Sequence, residues 1–282
     1  MVTLAEKQQA AVCLQGSYSV SERRACQVMS VHRNTKRAYD HKTWSQDSDE
    51  SIIQLSGQEP RWGYRKVYDR LKLDGHRVGR ERVRITRARE GLQVRKKQHK
   101  KRYPGPQGEL LKAEYPNHVW TYDFVMDASL DGRRLKFLTV ADEFTRRGLT
   151  ITCGRSLTAR DVQRILSRLF AEHGKPDYLR SDNGPEFLAQ ELRVWLSEHH
   201  VSTHFIEPGS PWQNGYGESF NAIFRDDCLN RWAFHSVREA QVVADHWKEK
   251  YNDYRPHGSL KGITPNMFLE QWRQEHATDN AA

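Results

Sequence analysis

Three acidic residues in this chain stand where carboxylates can do metal-dependent chemistry. Glu218 ends the loop Ser210-Pro-Trp-Gln-Asn-Gly-Tyr-Gly and opens a segment in which Phe220, Ile223 and Phe224 recur at helical spacing. Asp182 closes the apolar run Tyr178-Leu-Arg-Ser, and thirty-five residues separate it from Glu218. Asp123 sits inside the strand-like run Val119-Trp-Thr-Tyr-Asp-Phe-Val125. Any one of them alone reads as an exposed surface acid. Together they form a set of hard oxygen ligands that suits Mg²⁺. Two such ions about 4 Å apart activate the attacking oxygen and stabilise the leaving one in an in-line phosphoryl displacement. Without metal, clustered carboxylates repel and at least one pKa rises.

The elements that must position these acids can be read from periodicity. Val119, Thr121, Asp123 and Val125 alternate with Trp120, Tyr122, Phe124 and Met126, so Asp123 shares a strand face with Thr121 and Val125. Asp131-Gly132 is a hairpin turn into the strand Leu135–Ala141, and Gly148–Cys153 completes an antiparallel trio. Ala159–His173 reads as a helix with Val162, Ile165, Leu166 and Leu169 inward. Asp177–Ser181 is a short parallel strand, and Pro185 starts a helix carrying Phe187, Leu188, Leu192 and Trp195 inward. Val201–Phe205 is a last strand, and Val237–Tyr251 a helix with Ala240, Val243, Ala244 and Trp247 in the core. Asp142, Glu143 and Glu186 are rival acids, read as structural or as helix-end electrostatics. His199, His200 and His204 are close in sequence, but a helix–strand junction points them apart.

Three motifs carry a resemblance: Trp120-Thr-Tyr-Asp-Phe, Ser181-Asp-Asn-Gly-Pro-Glu-Phe and Pro211-Trp-Gln-Asn-Gly-Tyr-Gly-Glu-Ser. They resemble the catalytic boxes of the retroviral-integrase-like DDE transposases. The match is best to the IS-three family of bacterial insertion sequences, in its catalytic second-frame protein. The run from Tyr251 to Phe268, with Arg255-Pro-His-Gly, is similar to that family's closing motif. The resemblance implies an α/β, RNase H-like catalytic domain with a mixed five-stranded sheet and flanking helices, preceded by an all-helical helix-turn-helix region. It implies that Asp123, Asp182 and Glu218 bind two Mg²⁺ ions, with Mn²⁺ able to substitute, and that the chain cleaves insertion-sequence ends and transfers the 3′-OH into DNA. A homo-oligomer on double-stranded DNA, association or fusion with a first-frame protein, and a bacterial cytoplasmic, nucleoid-associated location follow from the same resemblance. Two other readings stay open at this stage: an RNase H-like nuclease that hydrolyses and stops, and a DNA-binding protein with an inert triad.

Charge is divided unevenly. Of 282 residues with net charge +9, the first 110 hold 24 Lys+Arg against 12 Asp+Glu, and the remainder 21 against 24. A basic half joined to an acidic half fits a DNA-gripping part and a carboxylate-bearing part. No run of 18 apolar residues exists, so no membrane span is expected. Met1–Lys7 lacks a signal-peptide stretch. The scattered Cys13, Cys26, Cys153 and Cys228 argue against a disulfide framework and against a zinc site.

The expected plan is a helix-turn-helix-like region over 1–45, a second such module with a basic arm over 46–102, a linker over 103–112, the catalytic domain over 113–270 and a disordered tail over 271–282. Residues 41–60 read as a linker plus a short helix. In the second module, Tyr64, Val67, Tyr68 and Leu71 share a helix face. The next helix turns Ile85 and Ala88 inward, and Arg80, Arg84 and Arg87 form an exposed guanidinium column suited to phosphate. Arg95, Lys96 and Lys97 begin a phosphate-binding arm. Trp212, Gln213 and Asn214 are placed to stack on or wedge against a base, and Asn221 and Arg225 to touch DNA on the Glu218 face.

Overall fold

A computed structural model describes residues 3–94, 111–181, 184, 187, 189–205 and 214–277. The chain divides into two units, Met1–Arg95 and Lys96–Ala282. The first holds five helices, α1 (Leu4–Tyr18), α2 (Glu22–Val28), α3 (Arg33–Gln58), α4 (Tyr64–Leu73) and α5 (Arg80–Arg89). Thr3 and Glu6 close a capping box on α1, and the Ser21 hydroxyl accepts from the Arg24 amide at the start of α2.

Two expectations for this unit need correction. The linker expected over 41–60 is instead the body of α3, which runs unbroken across the expected boundary at residues 45 and 46. No glycine or proline interrupts it before Gly57, and Ile52 and Leu55 bury their side chains from it. In α5, the inward residues are Val83, Thr86 and Arg87, while Ile85 is 51% exposed and Ala88 also faces out. The cause is Asp49 of α3. Its carboxylate accepts from the Thr86 hydroxyl at 2.8 Å, from Arg82 Nε at 3.0 Å and from Arg89 at 3.3 Å, which pins the polar side of α5 against α3.

The second unit is a five-stranded mixed sheet in the order β3-β2-β1-β4-β5. Its strands are β1 (Val119–Ala128), β2 (Arg134–Asp142), β3 (Gly148–Gly154), β4 (Tyr178–Ser181) and β5 (Ser202–Phe205). β1 is central, antiparallel to β2 and parallel to β4. Helices α6 (Ala159–His173) and α7 (Gln190–Glu198) cover one face, packing Val162, Leu166, Leu169, Leu192 and Leu196 on Trp120, Tyr122, Leu138 and Val140. Helices α8 (Gly215–Asp227) and α9 (Val237–Asp253) cover the other, with Phe220, Phe224, Trp247 and Tyr251 on Val125, Phe137 and Ile151. This is the RNase H-like arrangement. Burying both faces explains the apolar density of β2, where eight of nine residues are buried.

The helix expected from Pro185 is described from Gln190 onward; Pro185, Glu186 and Leu188 lie outside the described residues. So does nearly all of the expected 103–112 linker. The tail expected to be disordered from 271 is helical to Ala277, as part of α10 (Pro265–Ala277). Fully buried Thr264 starts that helix, and Phe268 and Trp272 pack on Phe144 with ring centroids 5.5 and 6.3 Å apart. Residues 278–282 lie outside the described set. No helix among the described residues is long and apolar enough to cross a membrane.

Candidate catalytic site

Asp123 lies on the central strand, two residues past the last paired position with β4, Thr121 opposite Arg180. Across the antiparallel side it faces Thr139 of β2. Period-2 alternation turns Thr121, Asp123 and Thr139 toward the face that α8 covers. Asn221 of α8 ties them together. Its Nδ2 donates to Asp123 Oδ2 at 2.7 Å, and its Oδ1 accepts from the Thr139 hydroxyl at 2.8 Å. The other carboxylate oxygen, Oδ1, accepts from the Phe124 amide at 2.6 Å. Asp123 is therefore fixed in orientation by backbone and side chain together.

Glu218 sits in the first turn of α8, one turn before Asn221 and on the same helix face. It is exposed and has no hydrogen-bond or ion-pair partner among the described residues. Its approach to β1 depends on Gly217. A Cβ there would stand 2.6 Å from Thr121 Oγ1 and 2.7 Å from Asn214 Oδ1, closer than real contacts allow. The Thr121 hydroxyl donates to Asn214 Oδ1 at 2.9 Å and anchors the start of α8 to the strand. At the far end of α8, buried Asp227 pairs with Arg255, and His257 meets the Tyr251 ring edge-on at 4.7 Å. The closing motif thus stitches α8 to α9 and holds the helix that carries Glu218.

Two of the rival acids, Asp142 and Glu143, are buried and paired, while Glu186 lies outside the described residues. Asp142 is 3% exposed and accepts from the amides of Asn117 and Thr145 at 2.7 Å each. Glu143 accepts from Arg180 at 2.8 and 2.9 Å with both side chains almost fully buried. Burial raises the Glu143 carboxyl while Arg180 pulls it back down, and burial likewise raises that of Asp142. His199 packs on Trp195, and no group of three His, Cys, Asp or Glu able to hold a metal occurs among the described residues. Asp182 lies outside them, directly after Ser181 at the carboxyl end of β4.

Several residues expected at DNA are placed otherwise. Arg87 is 2% exposed and donates to the Leu92 carbonyl at 2.6 and 3.2 Å, so it closes the end of α5 and leaves the exposed column. Asn214 is 4% exposed and held by Thr121, and Asn221 is committed to Asp123 and Thr139. Arg80 and Arg84 are exposed, the first over the Tyr68 ring, the second paired with Glu81. Arg225 is exposed and donates to the Met126 carbonyl at 2.7 Å. Arg95, Lys96, Lys97, Trp212 and Gln213 lie outside the described residues. Alternation places Thr121 on the Asp123 face in the sequence but gives it no role; Thr139 and Gly217 go unmarked there, since Thr139 needs the strand register and Gly217 the helix–sheet contact.

Two integrase core domain family models match the chain, over residues 113–211 and 199–265. A 39.2 kDa protein of insertion element IS476 from Xanthomonas euvesicatoria is 36% identical over 261 residues, covering 92% of this chain and 75% of its own. A 31.7 kDa protein of insertion element IS407 from Burkholderia multivorans is 34% identical over 257 residues, covering 90% and 92%. The chain belongs to the insertion-element transposases of the integrase superfamily. The fold of this transposase is also that of a chain in the simian T-cell lymphotropic virus intasome bound to PP2A regulatory subunit B56 gamma. That superposition has a TM-score of 0.50 at 15% identity, covering 78% of this chain and 74% of that one.

Proposed function

We propose that the chain cuts DNA at the ends of an insertion sequence of the IS-three family and joins the freed 3′-OH to a second phosphodiester. The observation that supports this reading is that Asn221 and closely packed Gly217 hold α8, which carries Glu218, against the central strand, which carries Asp123. Asp182, which follows β4 directly, is the third acid of the set.

The donor chemistry fits Mg²⁺ or Mn²⁺. Asp123 is a carboxylate oriented by the Phe124 amide and Asn221, and Glu218 is exposed and unpartnered among the described residues. Asp123, Asp182 and Glu218 would hold two ions. When bound, such ions supply activation of the attacking oxygen and stabilisation of the leaving one. The chain's own part is orientation: Asn221 and the Phe124 amide fix Asp123, and the Thr121–Asn214 bond fixes the first turn of α8. No covalent protein–DNA intermediate is required. Arg80, Arg84 and the Arg95–Lys97 arm are proposed to grip phosphates, with Arg225, Trp212 and Gln213 near the cut end. Two ends handled together call for a homo-oligomer on DNA, with a first-frame protein as a further partner.

The test is a cleavage and joining assay on DNA carrying the element's ends, comparing wild type with Glu218→Gln. Loss of both steps in a variant that folds and binds DNA supports one shared carboxylate site. Retention of either step removes Glu218 from the chemistry. Cleavage by wild type with no joined product from a pre-cleaved end would reduce the activity to hydrolysis.

A further inference from the structure

A cavity of about 590 Å³ opens beside α8 on the same sheet face as Asp123. Thr121 lines it, and two residues along a strand put Asp123 only about 7 Å further on. Tyr216 and Ile223 of α8 form another wall, roughly 150° around the helix from Glu218, so the cavity flanks α8 on the side away from that acid. The cavity therefore adjoins both elements that carry the described catalytic acids, without including either acid.

Its walls suit an anion with an apolar body. Lys112, Arg146 and Arg180 line it, against the acids Asp142 and Glu143. Asp142 is held by Thr145 and Asn117, and Glu143 by Arg180, so neither acid is open to a cation. The Arg146 guanidinium lies over the Tyr216 ring at 3.8 Å, and its Nε has no hydrogen-bond partner among the described residues. Arg180, 1% exposed, also leaves its Nε unpartnered. The N-terminus of α8 opens here through Gly215 and Tyr216. Its N-cap residue, Asn214, makes no side-chain capping bond, because it is committed to Thr121, and no other side chain among the described residues is seen to cap the helix. Uncapped first-turn amides and adjacent cations are what a phosphate needs. The volume exceeds a phosphate and lies within the range of about 300–1,000 Å³ typical of small-molecule sites.

We propose that this cavity receives one unpaired nucleotide of the DNA strand next to the cleaved phosphodiester. Its phosphate meets Lys112, Arg146 and the first-turn amides of α8, and its base lies along Tyr216 and Ile223. Extrusion of a base costs a few kcal/mol of unpairing and unstacking, which contact with aromatic and apolar side chains offsets. The inference rests on the proposed function for its ligand, but not for its test.

The experiment walks 2-aminopurine through the terminal positions of end DNA and reads fluorescence on binding the full chain in EDTA, where no cutting occurs. One position is expected to brighten. Lys112→Ala and Arg146→Ala are expected to abolish that response, with Arg146→Ala weakening binding of the DNA about tenfold through loss of a charge-assisted contact. Thermal melting checks that each variant folds; exposed Lys112 keeps the test decisive if Arg146→Ala does not. No brightening at any position, or a response unchanged in folded Lys112→Ala, overturns the assignment. If the same wild-type preparation still cuts and joins ends in Mg²⁺, the pocket reading alone has failed. Saturable binding of free deoxyadenosine monophosphate with no 2-aminopurine response in DNA would also overturn it, in favour of a free mononucleotide.

Discussion

Asn221 Nδ2 donates to Asp123 Oδ2 at 2.7 Å, joining the helix of Glu218 to the central strand of the sheet. The same side chain accepts from Thr139, which faces Asp123 in the strand register. One amide therefore sets both the rotamer of Asp123 and the distance of α8 from it. Asn221→Ala is expected to keep the fold and lower cleavage about 10–100-fold, the usual cost of losing a residue that orients a ligand. Raising the Mg²⁺ concentration should recover part of that loss. Cleavage at the wild-type rate and metal dependence would show that Asp123 is held well enough by the Phe124 amide alone.

Gly217 is set by contact, with no room for a side chain between α8 and β1. Gly217→Ala is expected to push α8 outward, costing about 1–3 kcal/mol as an overpacked core does. Gly57→Ala, in α3, is the control, since a Cβ there meets nothing within 4 Å. Thermal unfolding of the two variants should differ in sign or size, and only Gly217→Ala should lose cleavage.

Arg84 and Arg87 separate binding from stability. Arg84 is exposed, whereas Arg87 is buried on the Leu92 carbonyl. Arg84→Ala is expected to leave stability within about 0.5 kcal/mol of wild type and lower the slope of DNA affinity against salt by about one. Arg87→Ala is expected to destabilise the first unit by about 1.5–3 kcal/mol through loss of a buried charged hydrogen bond. Denaturant melts and salt titrations of both variants check this; a flattened salt slope in a fully stable Arg87→Ala would return Arg87 to the interface.

Glu143 and Arg180 form a buried pair beneath the proposed nucleotide site. Glu143→Gln leaves the Arg180 charge uncompensated and is expected to cost about 3–5 kcal/mol. Replacing both with apolar residues of similar volume should restore most of that stability, because no charge then remains buried. Chemical denaturation of the single and double variants measures both effects.

The acids, their thirty-five-residue spacing and the strand and helix that carry Asp123 and Glu218 could be read in the sequence because each depends on local patterns. Alternation gives a strand its faces, and helical spacing places Glu218 in a first turn. The same locality explains the failures. The linker expected over 41–60 looked polar, but polarity does not end a helix without a glycine or proline, and α3 continues. The arginine column followed helical spacing, yet which face of α5 turns inward is decided by Asp49, thirty-seven residues away from Thr86.

At the site itself, the sequence determined which residues could do the chemistry, and only the tertiary structure decided what holds them. Thr139 meets Asn221 across eighty-two residues of chain, and Asn221 meets Asp123 across ninety-eight. Contacts at that separation depend on strand register and on how closely a helix can approach a sheet. No local pattern encodes either quantity, because both emerge when the two sheet faces are buried together.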